Sequence, residues 1–489
     1  MPADKITHIA SLTQLSCHPA ECLSITTMEN LAIQGPILTS NSGYTYTTAL
    51  RRNSDLSVLP AKYIVQPAVY EDIPLIIACA TSLSPPLEIA VKGGGAHSST
   101  WNSSKGGVVI DLCKLNKVTL APDNQSLTVQ GGASWGDVYE VTGRANVDVV
   151  GSPLWFVGVG GYTLGGGHGP LSGEHGLAID NLLSATVVLA NGRIVRASRD
   201  EEPDLFWAIR GGGGQFGIAV EFTFKVHPSA GPFGSGIIAY PGSELPQVLR
   251  IITDWKRKQT SAERFTMTFS RPAPHFKPTV VILPTVLHDH DGTQTQKALA
   301  PFRKGAVKPI LDKVELVPDM FTVSHAADAT LQTLPKSLVI RGTLISDFSP
   351  ELLLAVYDKW LAFTEANDDV RASAVLFDLT SPNKFAEVRS DETAHPHREP
   401  SYWMAVQGRS KTDASVESAR EFATSIVSFV REKNAELSGR DLGWWVTLCQ
   451  GDEKPEDVFG SNLPRLRKVK AKYDPKKVWK KGFGIEPLV

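Results

Sequence analysis

Gly158-Val159-Gly160-Gly161-Tyr162-Thr163-Leu164-Gly165-Gly166-Gly167-His168-Gly169 is the stretch on which the reading of this chain turns. Seven of its twelve residues are glycine, and its context is apolar, where a linker would be polar. Bare backbone there comes close to a flat or charged group, or else to another backbone. A second run, Lys92-Gly93-Gly94-Gly95-Ala96-His97-Ser98, follows the apolar segment Leu87–Val91. Consecutive glycines permit φ > 0 and let N–H groups converge on an anion. Together the two runs imply a phosphate-bearing cofactor. A plain turn at the first and a tight backbone crossing at the second are the bland alternatives.

Other motifs carry less. Gly211-Gly212-Gly213-Gly214-Gln215-Phe216-Gly217 contains a formal G-x-G-x-x-G, but a strand follows it where a dinucleotide fingerprint needs a helix, so that site is rejected. Gly132-Ala133-Ser134-Trp135-Gly136 matches a nucleophile elbow. A hydrolase built on Ser134 would call on Asp180 and on His395 or His397. It would leave both glycine runs unexplained and would be colourless. His395-Pro396-His397 could ligate a metal on a strand, yet no third ligand is near in sequence, and no metal is expected.

Composition narrows the classes further. The chain has 489 residues, 42% of them hydrophobic, with 49 Lys and Arg against 51 Asp and Glu. A net charge of −2 lacks the basic excess of a nucleic-acid binder. No apolar run approaches the ~20 residues that span a bilayer. Cys17, Cys22, Cys79, Cys113 and Cys449 are too scattered for a disulfide framework and are read as unpaired thiols. The stretch from Met1 to Ser40 shows no apolar core of secretory length, so a cytoplasmic location is expected.

Periodicity places the motifs. Glu71-Asp72-Ile73-Pro74 opens a helix with Ile73, Ile76, Ile77 and Ala80 on one face. Val108–Leu112 and Leu183–Ala190 read as strands, and Asn191-Gly192 predicts a type I′ hairpin turn into Arg193–Ala197. Ile218, Val220, Phe222, Phe224 and Val226 alternate as a half-buried strand. Val416, Ala419, Ala423, Ile426 and Val430 mark a long amphipathic helix. Strands with intervening helices make the class α+β. Pro228-Ser229-Ala230-Gly231-Pro232 looks like a domain boundary.

Specificity comes from the order of these segments. Pro60–Pro67, the Gly93–Ser98 loop, Gly107–Leu112, the Gly158–Gly169 loop, Leu171–Asn181 and Asp204–Gly211 together resemble the FAD-binding (PCMH-type) domain of the vanillyl-alcohol-oxidase flavoproteins. Phe459-Gly460-Ser461-Asn462-Leu463-Pro464-Arg465-Leu466, followed by Lys472-Tyr473-Asp474-Pro475, looks like the tail of the berberine-bridge-enzyme branch. The resemblance runs from Pro60 to Pro487 and is weak over 230–440. It implies a two-part FAD-binding domain and a substrate domain with an antiparallel sheet covered by helices. The expected parts are an extension at 1–38, the FAD domain at 39–228, the substrate domain at 229–440 and a returning segment at 441–489.

The resemblance also implies chemistry. The expected activity is FAD-dependent oxidation of a small, largely apolar metabolite, of the kind met in secondary metabolism. A hydride passes to the flavin, and O₂ is a possible acceptor. Cofactor contacts are expected at Gly93, Gly94, Gly95, Ala96, His97 and Ser98. More are expected at Gly158, Gly160, Gly161, Tyr162, Gly165, Gly166, Gly167 and Gly169. Leu171, Ser172, Gly176, Asp180, Asn181, Gly217, Ile218 and Asn462 complete the set, with turn formation as the rival role for Asp180 and Asn181. Catalytic candidates are Tyr402, Gln407, His168 and Trp444, in a region where Trp403, Met404 and Trp445 could also line a pocket. Along a strand Tyr402, Met404 and Val406 share one face and Trp403, Ala405 and Gln407 the other; the sequence leaves open which faces the substrate.

Three positions depart from the family pattern. Relatives that tether FAD through histidine place it where this chain has Ala96, with His97 one residue late. The second tether, a cysteine, falls at Gly158. The Asn-Tyr pair of many relatives reads Asn462-Leu463. These changes weaken flavin oxidising power and proton abstraction, so a redox-neutral isomerase or cyclase on the same scaffold is the alternative. The register argument expects FAD without a covalent bond, a single His97 link being the other possibility. Precipitation with trichloroacetic acid then leaves the flavin colour in the supernatant. A yellow pellet that turns white in His97→Ala would overturn the expectation.

Overall fold

The computed structural model describes residues 27–305 and 307–488. Cys17 and Cys22 lie outside the described residues; Cys79, Cys113 and Cys449 are free thiols. No helix among the described residues is long and apolar enough to cross a membrane.

Four short strands come first: β1 (Ile37–Leu38), β2 (Tyr63–Val65), β3 (Ile89–Lys92) and β4 (Val108–Asp111), in the order β1-β2-β4-β3. β2 and β3 both run parallel to β4. Parallel pairing requires a crossover, and the helix Asp72–Ser82 supplies it between β2 and β3. Ile73, Ile76, Ile77 and Ala80 are buried on its inner face, as their spacing predicts. The Asp72 carboxylate anchors the start of that helix by accepting N–H groups from Gln34, Gly35 and Ala68.

A five-stranded antiparallel sheet packs beside it. Its members are β5 (Val118–Leu120), β6 (Ser126–Gln130), β8 (Leu182–Val188), β9 (Ile194–Ser198) and β10 (Ile218–Lys225), in the order β5-β6-β10-β8-β9. β7 (Val147–Asp148) pairs separately with β11 (His227–Pro228). Along β10, Val220, Phe222 and Phe224 are buried while Glu221 and Thr223 are half-buried, which is the alternation read from the sequence. The turn between β8 and β9 differs from the type I′ expectation. Only Gly192 has positive φ, at +82°. The Gly192 N–H bonds to the Leu189 carbonyl and the Asn191 side chain accepts from Arg193 N. The turn therefore begins one residue earlier, at Leu189, and ends in a left-handed glycine, with the Asn191 side chain accepting from Arg193 N.

Ser134 is the cap of the helix Trp135–Arg144, not a nucleophile. Its hydroxyl and backbone N–H both donate to the Asp137 carboxylate, and the Asp137 N–H returns to its oxygen. This is a reciprocal capping arrangement. The third glycine run turns from the helix Pro203–Ile209 into β10, with Gly211 and Gly213 at positive φ.

The second unit is one seven-stranded antiparallel sheet. It comprises β12 (Phe233–Pro241), β13 (Glu263–Ser270), β14 (Thr279–Val286), β15 (Leu311–Val317), β16 (Ser337–Ile345), β17 (Ala374–Thr380) and β18 (Tyr402–Ser410). Their order is β15-β12-β14-β13-β17-β18-β16. One face, carrying Phe265, Met267, Phe377, Met404 and Val406, packs under the helices Leu245–Lys256, Thr293–Lys304, Pro350–Ala366 and Val416–Ser438. The other face meets the first unit: Leu344 and Trp403 share a cluster with Leu177 and Ile179.

The chain then returns to the first unit. Lys470, in the helix Leu463–Tyr473, is buried and donates to the Gln215 carbonyl, the Trp479 carbonyl and the Asp474 carboxylate. Ser134→Ala should lose one cap, about 1 kcal/mol. The expected result is a slightly lower thermal midpoint with flavin colour intact; a colourless protein would contradict the capping role.

Candidate active site

The two glycine loops meet backbone to backbone. A Cβ on Gly94 would lie 2.5 Å from Gly158 N, and one on Gly158 would lie 2.3 Å from Gly94 N. Neither position can carry a side chain. Around this crossing the backbone is open: Gly94 and Gly161 are exposed, and nothing lies within 4 Å of where a Gly161 Cβ would stand. Gly160 and Gly161 lie in the first turn of the helix Val159–Leu164, where backbone N–H groups have no partner within the helix.

A Cβ on Gly160 would point inward, 3.1 Å from the Gly131 carbonyl oxygen. The second half of the run is packed against protein. A Cβ would meet Thr447 at Gly165, His395 at Gly166, Ala178 and Tyr162 at Gly167, and the Gly151 carbonyl at Gly169. Gly166 and Gly167 also have φ of +120° and +74°. The expectation of cofactor contact therefore gives way at these four positions to the crowded crossing, which accounts for glycine there without any ligand.

Several other expected contacts have side chains committed elsewhere. The Asp180 carboxylate accepts two bonds of 2.8 Å from the buried Arg398 and one from Leu177 N. Asn181 donates to the His175 and Leu177 carbonyls and bonds His227. Both act as turn formers. The Asn462 amide donates to the Ser390 carbonyl, Ser172 caps Gly169 N, and Leu171 and Ile218 are core. A Gly217 Cβ would strike Val187, and a Gly176 Cβ would approach Asp180. Tyr162 is buried against Trp135, and its hydroxyl has no partner.

Gly93 faces the Gly131 carbonyl at 3.1 Å, Gly95 has φ of +67° over Arg52, and Ala96 is half-buried. His97 Nδ1 accepts from Ser99 N at 3.0 Å and meets the Ser99 hydroxyl at 2.7 Å. Its ring stacks on Trp101, and burial pushes it down to about 4. Ser98 Oγ accepts from Ile340 N and from the Gln450 amide, which laces this loop to β16 and to the returning segment.

β18 settles the alternation left open by the sequence. Tyr402 lies on the helix-covered face, with Lys256 Nζ 4.2 Å over its ring, and burial raises its hydroxyl to about 12. It faces the helices and away from the first unit and its glycine loops, opposite to what its catalytic assignment requires. Gln407 shares the inner face with Trp403, Ala405 and Arg409. Trp444 lies under Arg431 with Nε1 unpartnered, and its neighbour Trp445 is the one beside His168.

His168 joins the two units. It stacks on Trp403 at 3.8 Å, and its Nδ1 lies 3.8 Å from the Asp378 carboxylate. Burial pushes its imidazole down to about 4 against the pull of Asp378. Nε2 is buried without a partner. Burial also works against the charge of Asp378, but Arg264, His168 and Thr380 hold it below the usual carboxylate value. Asp378, Arg264, Leu283, Leu376 and Arg409 were not reached from the sequence. Each is a single residue in an alternating strand, and no motif marks it.

The inner face of the sheet carries a half-buried patch. Leu283, Ile340, Leu376 and Gln407 are each the one half-buried residue in the middle of an otherwise buried run. Strand pairing makes them neighbours: Ile340 opposes Gln407, Leu376 opposes Ala405 and Thr268, and Leu283 opposes Thr266. The patch is a shallow, mainly apolar wall with Gln407 and Thr268 as its polar members.

Comparisons with known proteins bear on this arrangement. A family model described as FAD binding domain matches residues 61–198, and one described as berberine and berberine like matches 444–486. The FAD-linked oxidoreductase pgmH of Aspergillus terreus is 30% identical over 471 residues, 93% of this chain and 94% of its own. Glucooligosaccharide oxidase of Sarocladium strictum is 27% identical over 456 residues, 87% of each chain. The solved structure of Physcomitrella patens BBE-like 1 superposes with a TM-score of 0.80 at 19% identity, over 96% of this chain and 99% of that one, a likeness of fold. FAD fits the glycine crossing: an exposed, side-chain-free surface with unpaired N–H groups suits a pyrophosphate. Gly161→Val should keep the fold and lower FAD content, while Gly160→Val should destabilise the protein through the Gly131 carbonyl. Equal FAD content in Gly161→Val and the parent, read from absorbance per protein, would refute this placement.

Proposed function

The chain belongs to the berberine-bridge-enzyme-like branch of the vanillyl-alcohol-oxidase family of FAD-linked oxidoreductases, and on that premise we propose that its substrate is a small, largely apolar metabolite of secondary metabolism. The carrying observation is the half-buried patch of Leu283, Ile340, Leu376 and Gln407 on the sheet face turned toward the flavin loops. When bound, FAD supplies the two-electron acceptor for a hydride from the substrate, with O₂ as the candidate terminal acceptor.

The chain's own residues bind, orient and exclude water. The apolar wall removes hydration from a ligand of matching character. His168 stays neutral at physiological pH. Its Nδ1 lies 3.8 Å from Asp378, and Nε2, buried and without a protein partner, is the atom that would accept a proton or hydrogen bond from a substrate hydroxyl. Asp378 is fixed in turn by Arg264 and Thr380. FAD is held without a covalent link: Ala96 has no nucleophile, Gly158 no thiol, and both His97 nitrogens face inward, Nδ1 onto Ser99.

Anaerobic mixing with the true substrate should bleach the flavin band near 450 nm and give a product lighter by two hydrogens. His168→Ala should lower kcat/KM by roughly a hundredfold. Because burial pushes the imidazole down to about 4, the pH profile should show no His168 inflection between about pH 5.5 and 8. A product of unchanged mass, formed without bleaching, would refute oxidation in favour of isomerisation or cyclisation.

A further inference from the structure

A buried guanidinium is stable only with a compensating charge or full hydrogen bonding. Among the described residues four of the seven buried arginines pair with a carboxylate. Arg264 pairs with Asp378, Arg271 with Glu365, Arg341 with Asp452 and Glu453, and Arg398 with Asp180. Arg52 and Arg210 lack a direct pair but feel Asp111, and Asp180 with Glu392, at longer range. Arg409 is 6% exposed and, among the described residues, hydrogen-bonds only to Gln407 and the Pro335 carbonyl, with no carboxylate beside it; burial lowers it to about 10.

Its hydrogen bonds explain part of this. Nη1 donates to the Pro335 carbonyl, while Nε and Nη2 both donate to Gln407 Oε1 at 3.2 and 3.1 Å. Guanidinium has donors only, so the Gln407 amide is oriented by chemistry: its oxygen must face Arg409 and its NH₂ must point away. Gln407 is the half-buried polar member of the inner patch. It thus presents two N–H donors at the wall, backed by an uncompensated positive charge. The Arg409 nitrogens all find acceptors within the protein, so what it lacks is a neutralising carboxylate, which an anion over Gln407 would supply.

We propose that Gln407 and Arg409 form a subsite for an anionic oxygen of the substrate, a carboxylate or a phenolate. This rests on the reading of the patch as the substrate wall and narrows it: the metabolite is apolar along Leu283, Leu376 and Ile340 and carries the anionic oxygen at the end over Gln407. A charge-assisted pair of this kind separates an anion from its neutral isostere by about tenfold or more.

Calorimetric titration of the holoprotein with benzoate, benzamide and 4-nitrophenolate tests it. Benzoate or 4-nitrophenolate should bind at least tenfold more tightly than benzamide, and whichever is tighter identifies carboxylate or phenolate. Gln407→Glu places a carboxylate on Arg409, so it folds with its charge satisfied and should lose that preference. Arg409→Gln should lose it too. Anions that bind no better than benzamide, or a preference retained in Gln407→Glu, would overturn the proposal. So would an unchanged anion preference in Arg409→Gln together with a shifted flavin potential, since Arg409 would then serve the flavin. Absorbance near 450 nm in the same samples reports the flavin separately: colourless protein refutes the flavin reading, while the titration still decides the subsite.

Discussion

Gly94 and Gly158 occupy each other's side-chain space. Each would bring a Cβ within about 2.5 Å of the other's backbone nitrogen, a distance that no rotamer change relieves. The crossing ties the loop after β3 to the start of the helix Val159–Leu164, more than sixty residues later in the chain. It leaves the outer surfaces of both loops bare and their N–H groups unobstructed. The bare surface at the crossing is thus a by-product of a packing constraint: two segments that must touch backbone to backbone cannot also present side chains there. The remaining glycines of the longer run extend the same logic inward, where Gly165, Gly166, Gly167 and Gly169 admit Thr447, His395, Ala178 and Gly151.

The seven-stranded sheet divides its labour by face. Its outer face buries large apolar side chains under four helices and supplies stability. Its inner face carries Arg264, Asp378, Gln407 and Arg409, together with small threonines, and supplies chemistry. Polar residues in the middle of a sheet are costly unless each is paired. Arg264, Asp378 and Thr380 satisfy one another and steady His168. Arg409 is held by the Gln407 amide oxygen and the Pro335 carbonyl, without a carboxylate among the described residues.

The returning segment closes the arrangement. Glu453 accepts from Gln450 N and Gly451 N while pairing with Arg341 of β16. Gln450 reaches both Ser98 and the Ile340 carbonyl. One short stretch therefore fixes the glycine loop, the inner sheet edge and Trp445 beside His168. A buried charge pair with further hydrogen bonds is directional, and it sets registration between units more sharply than apolar contact does.

What the sequence by itself determined is what depends on local order. The glycine runs, the helix faces of Ile73–Ala80 and Ala419–Val430, the alternation of β10 and the ordered motifs of the FAD domain and its tail were all legible. Each is written in neighbouring residues or in a fixed succession of segments. Local pattern went astray where two outcomes share one pattern. Asn191-Gly192 suits more than one turn, Ser134 suits a cap as well as an elbow, and a glycine run suits a crossing as well as a cofactor. Tertiary structure alone decided which face of β18 looks inward, and so put Tyr402 under the helices and Gln407 on the face toward the first unit. It also brought Asp378 to His168 across more than two hundred residues, and left Arg409 without a carboxylate. Strand period fixes only that alternate residues part company. Which set meets the flavin loops is set by what the neighbouring strands and the other unit bury, and that information is held in no single segment.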